Sequence, residues 1–442
     1  MAPRQSPVLP VAFSTADARS SSAEPAGDGM FAEVGELDVR QVVDLVIARN
    51  PSIEAMASAW RASAERYPQV ISLDDPMFMG MLAPASLGSN LVEPAYVVGG
   101  LQKLPWHGKR AARGRIAQAE ASAAFQDVQQ TRLEVAEAAR LAFYDYYVVR
   151  RELELNTENW RSVRQFRDTA RSRFESNLVG EQDVLQAEIA VADAERRRIE
   201  LERLDKVAVA RLNTLMLRSP DAPLPAPPAR LIIGFEPAPP DALRNLAVRQ
   251  RPDLASLAAK MRAEQGAIAL AQKEYYPDVE VYGRYDSFWQ PAATQSQLRA
   301  QAGVNVNVPI YQQKRQAAVR QAQFRFAQRQ SEYGQRYNEI QYEVQNAYEM
   351  ALQARRTAQL YAERFLPAAE ENLRVARTSY NVGKIDFLAL LQAQQQLILL
   401  REKHQESLAD YYRRLAELER IVGGPLPEST AQEEVPAPAP DR

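Results

Sequence analysis

Three methionines alternate along one short segment of the chain, at Met77, Met79 and Met81. If this segment is a β-strand, alternate side chains lie on the same face. Thioether sulfur is a preferred ligand of soft cations such as Cu(I) and Ag(I). Methionine is also a common filler of apolar surfaces. The sequence favours apolar filling over a metal site at these positions.

Other residue types that carry chemistry are sparse or isolated. His107 and His404 belong to no recognisable metal-ligand set, and cysteine is absent. Gly108-Lys109-Arg110 lacks the preceding strand and glycine-rich loop of a phosphate-binding site. No metalloprotease, nucleophile-elbow or dinucleotide motif occurs. We therefore predict no enzyme, no metal site and no cofactor.

Charge and hydropathy exclude two further classes of protein. The net charge of −2 gives no electrostatic reason to expect a nucleic-acid partner. No run of about 18 to 20 apolar residues occurs, so the sequence predicts no membrane-spanning helix.

The chain is internally duplicated. A segment that begins near Asp38 recurs about 205 residues later, in the order helix, hairpin, very long helix, helix. The ends of the two repeats also match, since Gly180 is followed by Asp183 and Gly383 is followed by Asp386. The duplicated order of elements is therefore informative about the architecture and does not indicate an active site.

The repeats set the predicted boundaries. We expect a disordered segment at 1–35, a proline-rich connector at 219–240 and a disordered tail at 424–442. The first repeat spans 36–218, with short helices, a β-hairpin at 76–104, a long helix at 107–177 and a return helix at 181–216. The second spans 241–423, with a helix at 252–274, a β-hairpin at 278–309, a long helix at 312–380 and a return helix at 384–422.

The long helices predict a coiled-coil arrangement. Apolar residues of the second long helix alternate three-residue and four-residue spacing, which specifies left-handed supercoiling. They are Tyr333, Tyr337, Ile340, Val344, Ala347, Ala351, Ala354, Ala358, Tyr361 and Phe365. At 1.5 Å per residue, each long helix should extend for about 100 Å. Pro367 should bend the second one or mark a change of packing.

The predicted strands favour a shared membrane barrel. Four strands per chain leave two exposed edges, so several chains must combine to close a barrel, and three would give 12 strands. Val304, Val306 and Val308 alternate with Asn305 and Asn307, the pattern of an apolar outer and a polar inner face. In this arrangement the three methionines are expected on the apolar, lipid-facing side. A soluble sandwich is the alternative on the strand pattern alone.

From about Asp38 to Gly424 the chain resembles the TolC-like outer-membrane efflux proteins. The resemblance depends on the doubled hairpin and long-helix order and on the two segments that end in Leu185-Gln186-Ala187 and Leu391-Gln392-Ala393. The segment from Leu104 to Arg113 is most similar to the heavy-metal (CzcC/CusC-like) branch.

The resemblance implies a mostly α-helical fold with a small β part. Each chain would contribute four β-strands to a trimeric 12-stranded transmembrane β-barrel, continued by long antiparallel α-helical staves across the periplasm. It also implies the partners, namely a homotrimer in outer-membrane lipid that docks a periplasmic adaptor (membrane fusion protein) and an inner-membrane efflux pump. The location would be the outer membrane of a Gram-negative-type cell, and the function a passive exit duct for heavy metals or drugs.

Two sets of site residues follow from this reading. Gly180 and Gly383 are expected at left-handed turns of the periplasmic tip, and Asp183 and Asp386 either form an acidic gate or cap the returning helices. Basic residues at the start of each long helix oppose the helix dipole, so either headgroup contact or a solvated flank could explain them. The membrane-interface candidates are Trp106, Lys109, Arg110, Tyr275, Tyr276, Trp289 and Tyr311.

Two other functions fit parts of the sequence. A soluble coiled-coil scaffold would explain the heptads but not the paired hairpins. A periplasmic adaptor protein would have one helical hairpin instead of a duplicated strand and helix order. The sequence does not identify the transported substrate.

Overall fold

The computed structural model of this chain describes residues 35–87, 94–288 and 299–427. Nearly all of the segments predicted to be disordered, 1–35 and 424–442, lie outside these ranges, as does Trp289. The described residues form a mostly helical protein with one small antiparallel sheet.

The first repeat starts with three short helices, continues through two strands and ends in two long helices. Its elements are α1 (Val39–Arg49), α2 (Pro51–Ala64), α3 (Arg66–Ile71), β1 (Met77–Leu82), β2 (Pro94–Leu104), α4 (Lys109–Glu175) and α5 (Glu181–Leu215). A short 3-10 helix, Pro84–Ser86, follows β1.

The second repeat has the same order. Its elements are α6 (Pro240–Gln250), α7 (Pro252–Lys273), β3 (Val279–Phe288), β4 (Ala300–Val306), α8 (Gln312–Leu360), α9 (Leu366–Asn381) and α10 (Phe387–Val422). The connector between the repeats, from residue 219 to the start of α6, contains no helix or strand.

The 67 residues of α4 form one continuous helix, about 100 Å long at the standard rise. The segment contains no proline and is rich in Ala, Arg and Glu, which are strong helix formers. Small residues such as Ala112, Ala139 and Ala170 are fully buried along it. They allow neighbouring helices to approach closely along much of this length.

A π-helical turn separates α8 from α9. It spans Tyr361–Phe365 and ends just before Pro367, which occupies the first turn of α9. Proline has no backbone N–H and its ring clashes with the carbonyl four residues earlier, so a regular α-helix cannot continue through it. A change of packing was predicted at Pro367, and the structure has a π-helical turn directly before it.

The core is divided into clusters along the helices. One packs α1 against α4 and α5, through Val42, Val46, Phe143, Tyr146 and Leu212. A second lies where α4, α5, α9 and α10 approach their shared end, and a third joins α6, α7 and α8 to the end of α10. No helix in the described ranges has the length and apolar character needed to cross a membrane.

The four strands form one antiparallel sheet in the order β1-β2-β3-β4. The two hairpins join through β2 and β3, which pair Val98 with Tyr285 and Gly100 with Gly283. Strands β1 and β4 each have one strand neighbour within the described residues, so both outer edges of the sheet are open in the single chain.

Candidate functional site

One face of the sheet is apolar and exposed. The strand registers place on this face Phe78, Leu82, Tyr96, Val98, Leu104, Val279, Val281, Tyr285, Ala300, Ala302, Val304 and Val306. Phe78 is 86% exposed and Val304 is 59% exposed. A contiguous apolar surface of this kind marks a site of contact with a membrane or another protein.

The opposite face, here called the polar face, carries the charged residues of the sheet together with Val97, Leu101 and Tyr282. Lys103, Glu280, Arg284 and Asp286 lie there on the two central strands. Asp286 is buried and pairs with Arg284 at 3.2 Å between nitrogen and oxygen. Its other neighbour on this face, Gln301, donates a hydrogen bond to Asp286 Oδ2 at 3.0 Å. The sheet therefore has one apolar face and one mixed face that carries its charged residues.

The three methionines of β1 belong to the polar face. Met79 pairs across the strands with Gly99, which pairs in turn with Arg284. Met77 and Met81 lie on the same face because side chains alternate along a strand. This contradicts the prediction that they share the lipid-facing side. Residue type alone suggested apolar filling, whereas the pairing register decides which way the side chains point.

Lys109, at the junction of sheet and helices, is buried inside the chain. Its side chain is 2% exposed, and its ammonium lies 2.9 Å from Asp278 Oδ1 and 3.4 Å from Glu274 Oε2. The ammonium also donates to the carbonyl of Tyr276 at 3.2 Å. The backbone N–H of Trp106 donates to the same Asp278 oxygen at 2.8 Å. Lys109 therefore fastens the first repeat to the second and does not present an exposed charge.

Arg110 and Arg315 explain why positive charge occurs at the start of both long helices. Arg110 Nε donates to the carbonyl of Ile71, the last residue of α3, at 2.5 Å. Arg315 Nε donates to the carbonyl of Glu274, directly after α7, at 2.8 Å. Each cation thus satisfies the negative C-terminal end of the preceding helix, where positive charge is favourable.

Aromatic residues surround this junction. Trp106 stacks on Tyr276 with ring centroids 5.4 Å apart. Tyr276 and Tyr311 are exposed, and Tyr275 is half-buried. Amphipathic rings of this kind favour the boundary between an apolar phase and water.

The turns at the far end of the long helices differ from the prediction. Gly383 has the expected left-handed backbone, with φ +75°, but Gly180 is extended, with φ −78°. In the first repeat the left-handed residue is Asn177, with φ +56°. Asn177 N–H donates to the Phe174 carbonyl as Gly383 N–H donates to that of Tyr380, which makes these two turns equivalent. The prediction for Gly180 is wrong because asparagine also tolerates this conformation.

The two aspartates at these turns have different structural positions. Asp386 is the N-cap of α10, and its side chain accepts a hydrogen bond from the Ala389 N–H at 3.0 Å. Asp183 lies in the first turn of α5, after an N-cap at Gly180. Partial burial and then the negative charge of Asp386 raise the pKa of the Asp183 carboxyl. The structure therefore brings both acidic residues together at one end of the molecule.

Arg173 is a residue of this end that the sequence reading missed. Its guanidinium donates to the carbonyl of Tyr380 at 2.6 Å and lies 4.7 Å from the centre of the Tyr380 ring. It also opposes the rise in the pKa of Asp183. The sequence signal for Arg173 was a basic residue in the last turn of a long helix. Its partner, Tyr380, is evident only from the packing of α4 against α9.

We expect Asp386→Ala to loosen the first turn of α10. The substitution removes the capping acceptor of the Ala389 N–H, which costs about 0.5–2 kcal/mol of local stability. Amide hydrogen exchange should accelerate at residues 387–390 by the corresponding factor. Lys384→Ala, in the same exposed turn, is the matched control, and equal exchange in the two variants would contradict the capping role.

Among the described residues, no group of three or more His, Cys, Asp or Glu side chains is arranged to hold a metal ion. The geometry instead consists of a two-faced sheet, long helices and a pair of acidic turns at their ends.

Residues 243–424 match a family model described as outer membrane efflux protein, a family of transport ducts and not of enzymes. The chain is also 26% identical, over 165 residues, to the fusaric acid resistance protein FusA of Burkholderia cepacia. That match covers 36% of this chain and 31% of FusA, so the chain spans about a third of the length of this curated relative.

Solved outer-membrane channels have the same fold over most of the chain. The structure of OprN gives a TM-score of 0.70 at 18% identity, covering 88% of this chain and 90% of that one. VceC of Vibrio cholerae gives 0.73 at 16% identity, covering 91% and 99%. CusC gives 0.73 at 14% identity, covering 96% and 99%. The TolC-like fold is therefore supported across both repeats, and the CusC-like branch is one of several similar structures.

Proposed function

We propose that this chain is the outer-membrane exit duct of a tripartite efflux system. Three copies would share one 12-stranded barrel, and the long helices would continue it as a tunnel into the periplasm. The duct conducts passively, and a partner pump in the inner membrane expels the substrate into it.

The separation of the two sheet faces is the observation that carries this proposal. A single four-stranded sheet leaves strands β1 and β4 unpaired on their outer sides and exposes the whole apolar face to solvent. Pairing of β1 with β4 of another copy removes both open edges. Twelve strands enclose a water-filled lumen, so the apolar face contacts lipid and the polar face contacts water.

The helices support the same assembly. Four long helical segments per chain, namely α4, α5, the α8–α9 pair and α10, supply 12 staves in a trimer. The junction residues Trp106, Tyr275, Tyr276 and Tyr311 lie where this assembly leaves the membrane. Lys109 would then hold α4 to the segment before β3, and Arg110 would hold α4 to the end of α3, so that neither cation binds headgroups.

The acidic turns are the proposed gate at the periplasmic tip. Asp183 and Asp386 lie near each other in one chain, and the threefold axis would bring six such carboxylates to one ring. Protonation removes their mutual repulsion, and because the pKa of Asp183 is raised, acidification through that pKa neutralises this carboxylate. Gly383 and Gly180 form the turns that position the ring.

The partners follow from the role. A periplasmic adaptor would dock on the helical staves, and an inner-membrane pump would supply the driving force. The substrate class is heavy-metal ions or drug-like compounds.

The oligomeric mass of the membrane-extracted protein tests the proposal. We expect the protein to require detergent and to scatter light as a trimer after correction for the bound micelle. A monomer or dimer that stays in solution without detergent would overturn the channel and favour a soluble coiled-coil scaffold. The double variant Asp183→Asn, Asp386→Asn should then alter the single-channel conductance of the trimer, whereas Lys384→Ala should not.

A further inference from the structure

We propose that a cleft in the first repeat binds an acidic segment of another polypeptide, in which Asp or Glu stands beside an apolar side chain. The cleft has a volume of about 830 Å³ and lies where α1 ends, α2 begins and the turn after α5 approaches α4. It is at the opposite end of α5 from the turn at Gly180. The binding itself does not depend on the proposed channel, whereas a periplasmic source of the peptide does.

The floor of the cleft is apolar. Ile47, Ile53 and Leu217 line it, together with Pro51 and three alanines. Ile53 is 7% exposed, whereas Leu217 is 38% exposed. Leu217 therefore offers an apolar surface that no part of the described chain covers completely, and an apolar side chain of a ligand can pack there.

The rim of the cleft is positively charged. Its charged residues are Arg49, Arg61, Arg132 and Glu54. Glu54 pairs with Arg61 at 2.8 Å, so the charges of Arg49 and Arg132 are not balanced within the cleft. In the part of the chain that the structure describes, these two arginines form no ion pair and no side-chain hydrogen bond. The rim is therefore complementary to an anionic group.

The second repeat shows why the first one has this space. Leu217 and Gly423 occupy equivalent turns, after α5 and α10, and both have a left-handed backbone, with φ +55° and +91°. The next residue of each turn, Arg218 or Gly424, donates its N–H to the carbonyl five positions earlier, at 2.9 and 3.1 Å. Gly423 has no side chain, and the backbone of Arg251 lies 3.0 Å from where its Cβ would be. In the first repeat the side chain of Leu217 stands at this place and lines the cleft instead.

The charges of the two repeats differ at the same place. Helix α7 opens with Arg251-Pro252-Asp253, and Arg251 lies 2.7 Å from a carboxylate oxygen of Glu343. Helix α2 opens with the neutral sequence Asn50-Pro51-Ser52. The second repeat thus fills this region with its own paired arginines and carboxylates, whereas the first has arginines at the rim without such partners.

An acidic peptide supplies both missing parts. Guanidinium and carboxylate groups form strong charge-assisted hydrogen bonds, which the chain itself uses at Arg251. An apolar side chain next to the carboxylate would pack over Ile53 and Leu217. An uncharged apolar ligand would leave both arginines without partners, and a small inorganic anion would leave the floor uncovered.

The cleft opens on the face of α4 that α1 covers. Arg132 lies seven residues before Ala139, which is two helical turns, so the two residues share one face of α4. Ala139 belongs to the core cluster that joins α4 to α1. Three copies of α1 would obstruct the tunnel if this face pointed inward. In the proposed trimer the cleft therefore opens outward, where a partner can reach it.

Isothermal titration of the purified, detergent-solubilised protein with a synthetic peptide is the test. The probe is acetyl-Leu-Glu-Glu-Leu-Glu-Glu-amide, and the matched probe has glutamine in place of each glutamate. Because a hydrogen bond to a charged group contributes about 1.5–3 kcal/mol, the acidic probe should bind about 10-fold tighter or more. Equal binding of the two probes, or no binding of the acidic one, would overturn the inference.

Two double variants locate the charge that matters. Arg49→Gln with Arg132→Gln should weaken binding of the acidic probe by about 10-fold or more. Arg115→Gln with Arg262→Gln is the matched control, since it removes two exposed arginines that line a different groove, between α4 and α7. Both variants change the net charge equally. An equal loss of binding in both would show general electrostatic attraction and no site in the cleft.

A steric variant tests the cleft while it keeps both arginines. Ser58 is exposed on α2 and lines the cleft, so Ser58→Trp should block the peptide. Ala59→Trp is the control, because Ala59 is equally exposed and does not line the cleft. Circular dichroism should show the same helix content in both variants. Unchanged binding by Ser58→Trp would place the peptide elsewhere and overturn the inference. A detergent-requiring trimer that binds no acidic probe removes the inference but keeps the channel, whereas cleft-dependent binding by a soluble monomer keeps the inference and removes the channel.

Discussion

Arg251→Ala should destabilise the helical region by about 3–5 kcal/mol, the usual penalty for removing one partner of a buried ion pair. Arg251 is 3% exposed, and its guanidinium contacts Asp253 Oδ2 and Glu343 Oε2, each at 2.7 Å. It also donates to the carbonyl of Ile421 near the end of α10, at 3.1 Å. The substitution therefore leaves two half-buried carboxylates short of a partner and detaches α10 from α7.

The pH dependence of this network has a definite sign. Burial disfavours the charged forms of Asp253 and Glu343, but hydrogen bonds from Arg251 and Arg336 outweigh it and hold both pKa values below the ordinary 3.8 and 4.5. Lowered carboxyl pKa values contribute stability above those ordinary values and lose it as the pH falls through the lowered ones. Arg251→Ala should thus remove part of the acid sensitivity as well as stability.

Guanidinium unfolding of the detergent-solubilised protein, followed by helical circular dichroism, measures this loss. Arg374→Ala is the matched control, because Arg374 pairs with Glu371 on the exposed surface of α9. We expect no measurable change in its midpoint. Equal midpoints for the two variants would show that the buried network does not stabilise the fold.

Gly423→Ala should also destabilise the protein strongly. Gly423 ends α10 with φ +91°, a conformation that costs a side-chain-bearing residue about 1–3 kcal/mol. An added Cβ would also lie 3.0 Å from the backbone N and Cα of Arg251, which are not free to move. Overpacking of this kind typically adds about 1–3 kcal/mol. A lowered unfolding midpoint in the same assay is the expected result.

Gly334→Ala provides the opposite control. Gly334 lies within α8, and an added Cβ there meets no atom within 4 Å. Alanine is a better helix former than glycine by about 0.5–1 kcal/mol, so this variant should be slightly more stable than the parent. If both glycine variants shifted the midpoint equally, the close approach at Gly423 would have no energetic role.

The spacing of apolar residues was most informative in the long helices. The residues selected by three-residue and four-residue spacing include Ile340, Val344 and Ala347, and all three are buried against α6 and α10. The spacing works there because a helix that packs along its whole length must keep one apolar stripe. The strands were predicted from a different period, the alternation of apolar and polar residues.

Features that depend on pairing between distant segments could not be predicted. The face of Met79 is set by the register of β1 on β2, and a shift of one residue would reverse it. The left-handed turn at Asn177 was not predicted, because Gly180, three residues later, is the more obvious turn residue. Arg251 reads as an ordinary helix start, and its burial arises only when α8 and α10 pack around it.

Cross-linking of the two open sheet edges tests the central claim most directly. Met79→Cys on β1 and Asn305→Cys on β4 place one thiol at each edge, both on the polar face, in a chain without native cysteine. A flexible bis-maleimide applied to isolated membranes should convert the double variant into covalent dimers and trimers, with nothing larger. Each single variant, which lacks one side of the β1–β4 contact, should stay monomeric. Absence of intermolecular products in the double variant, or a ladder that continues beyond three chains, would contradict a closed trimeric barrel.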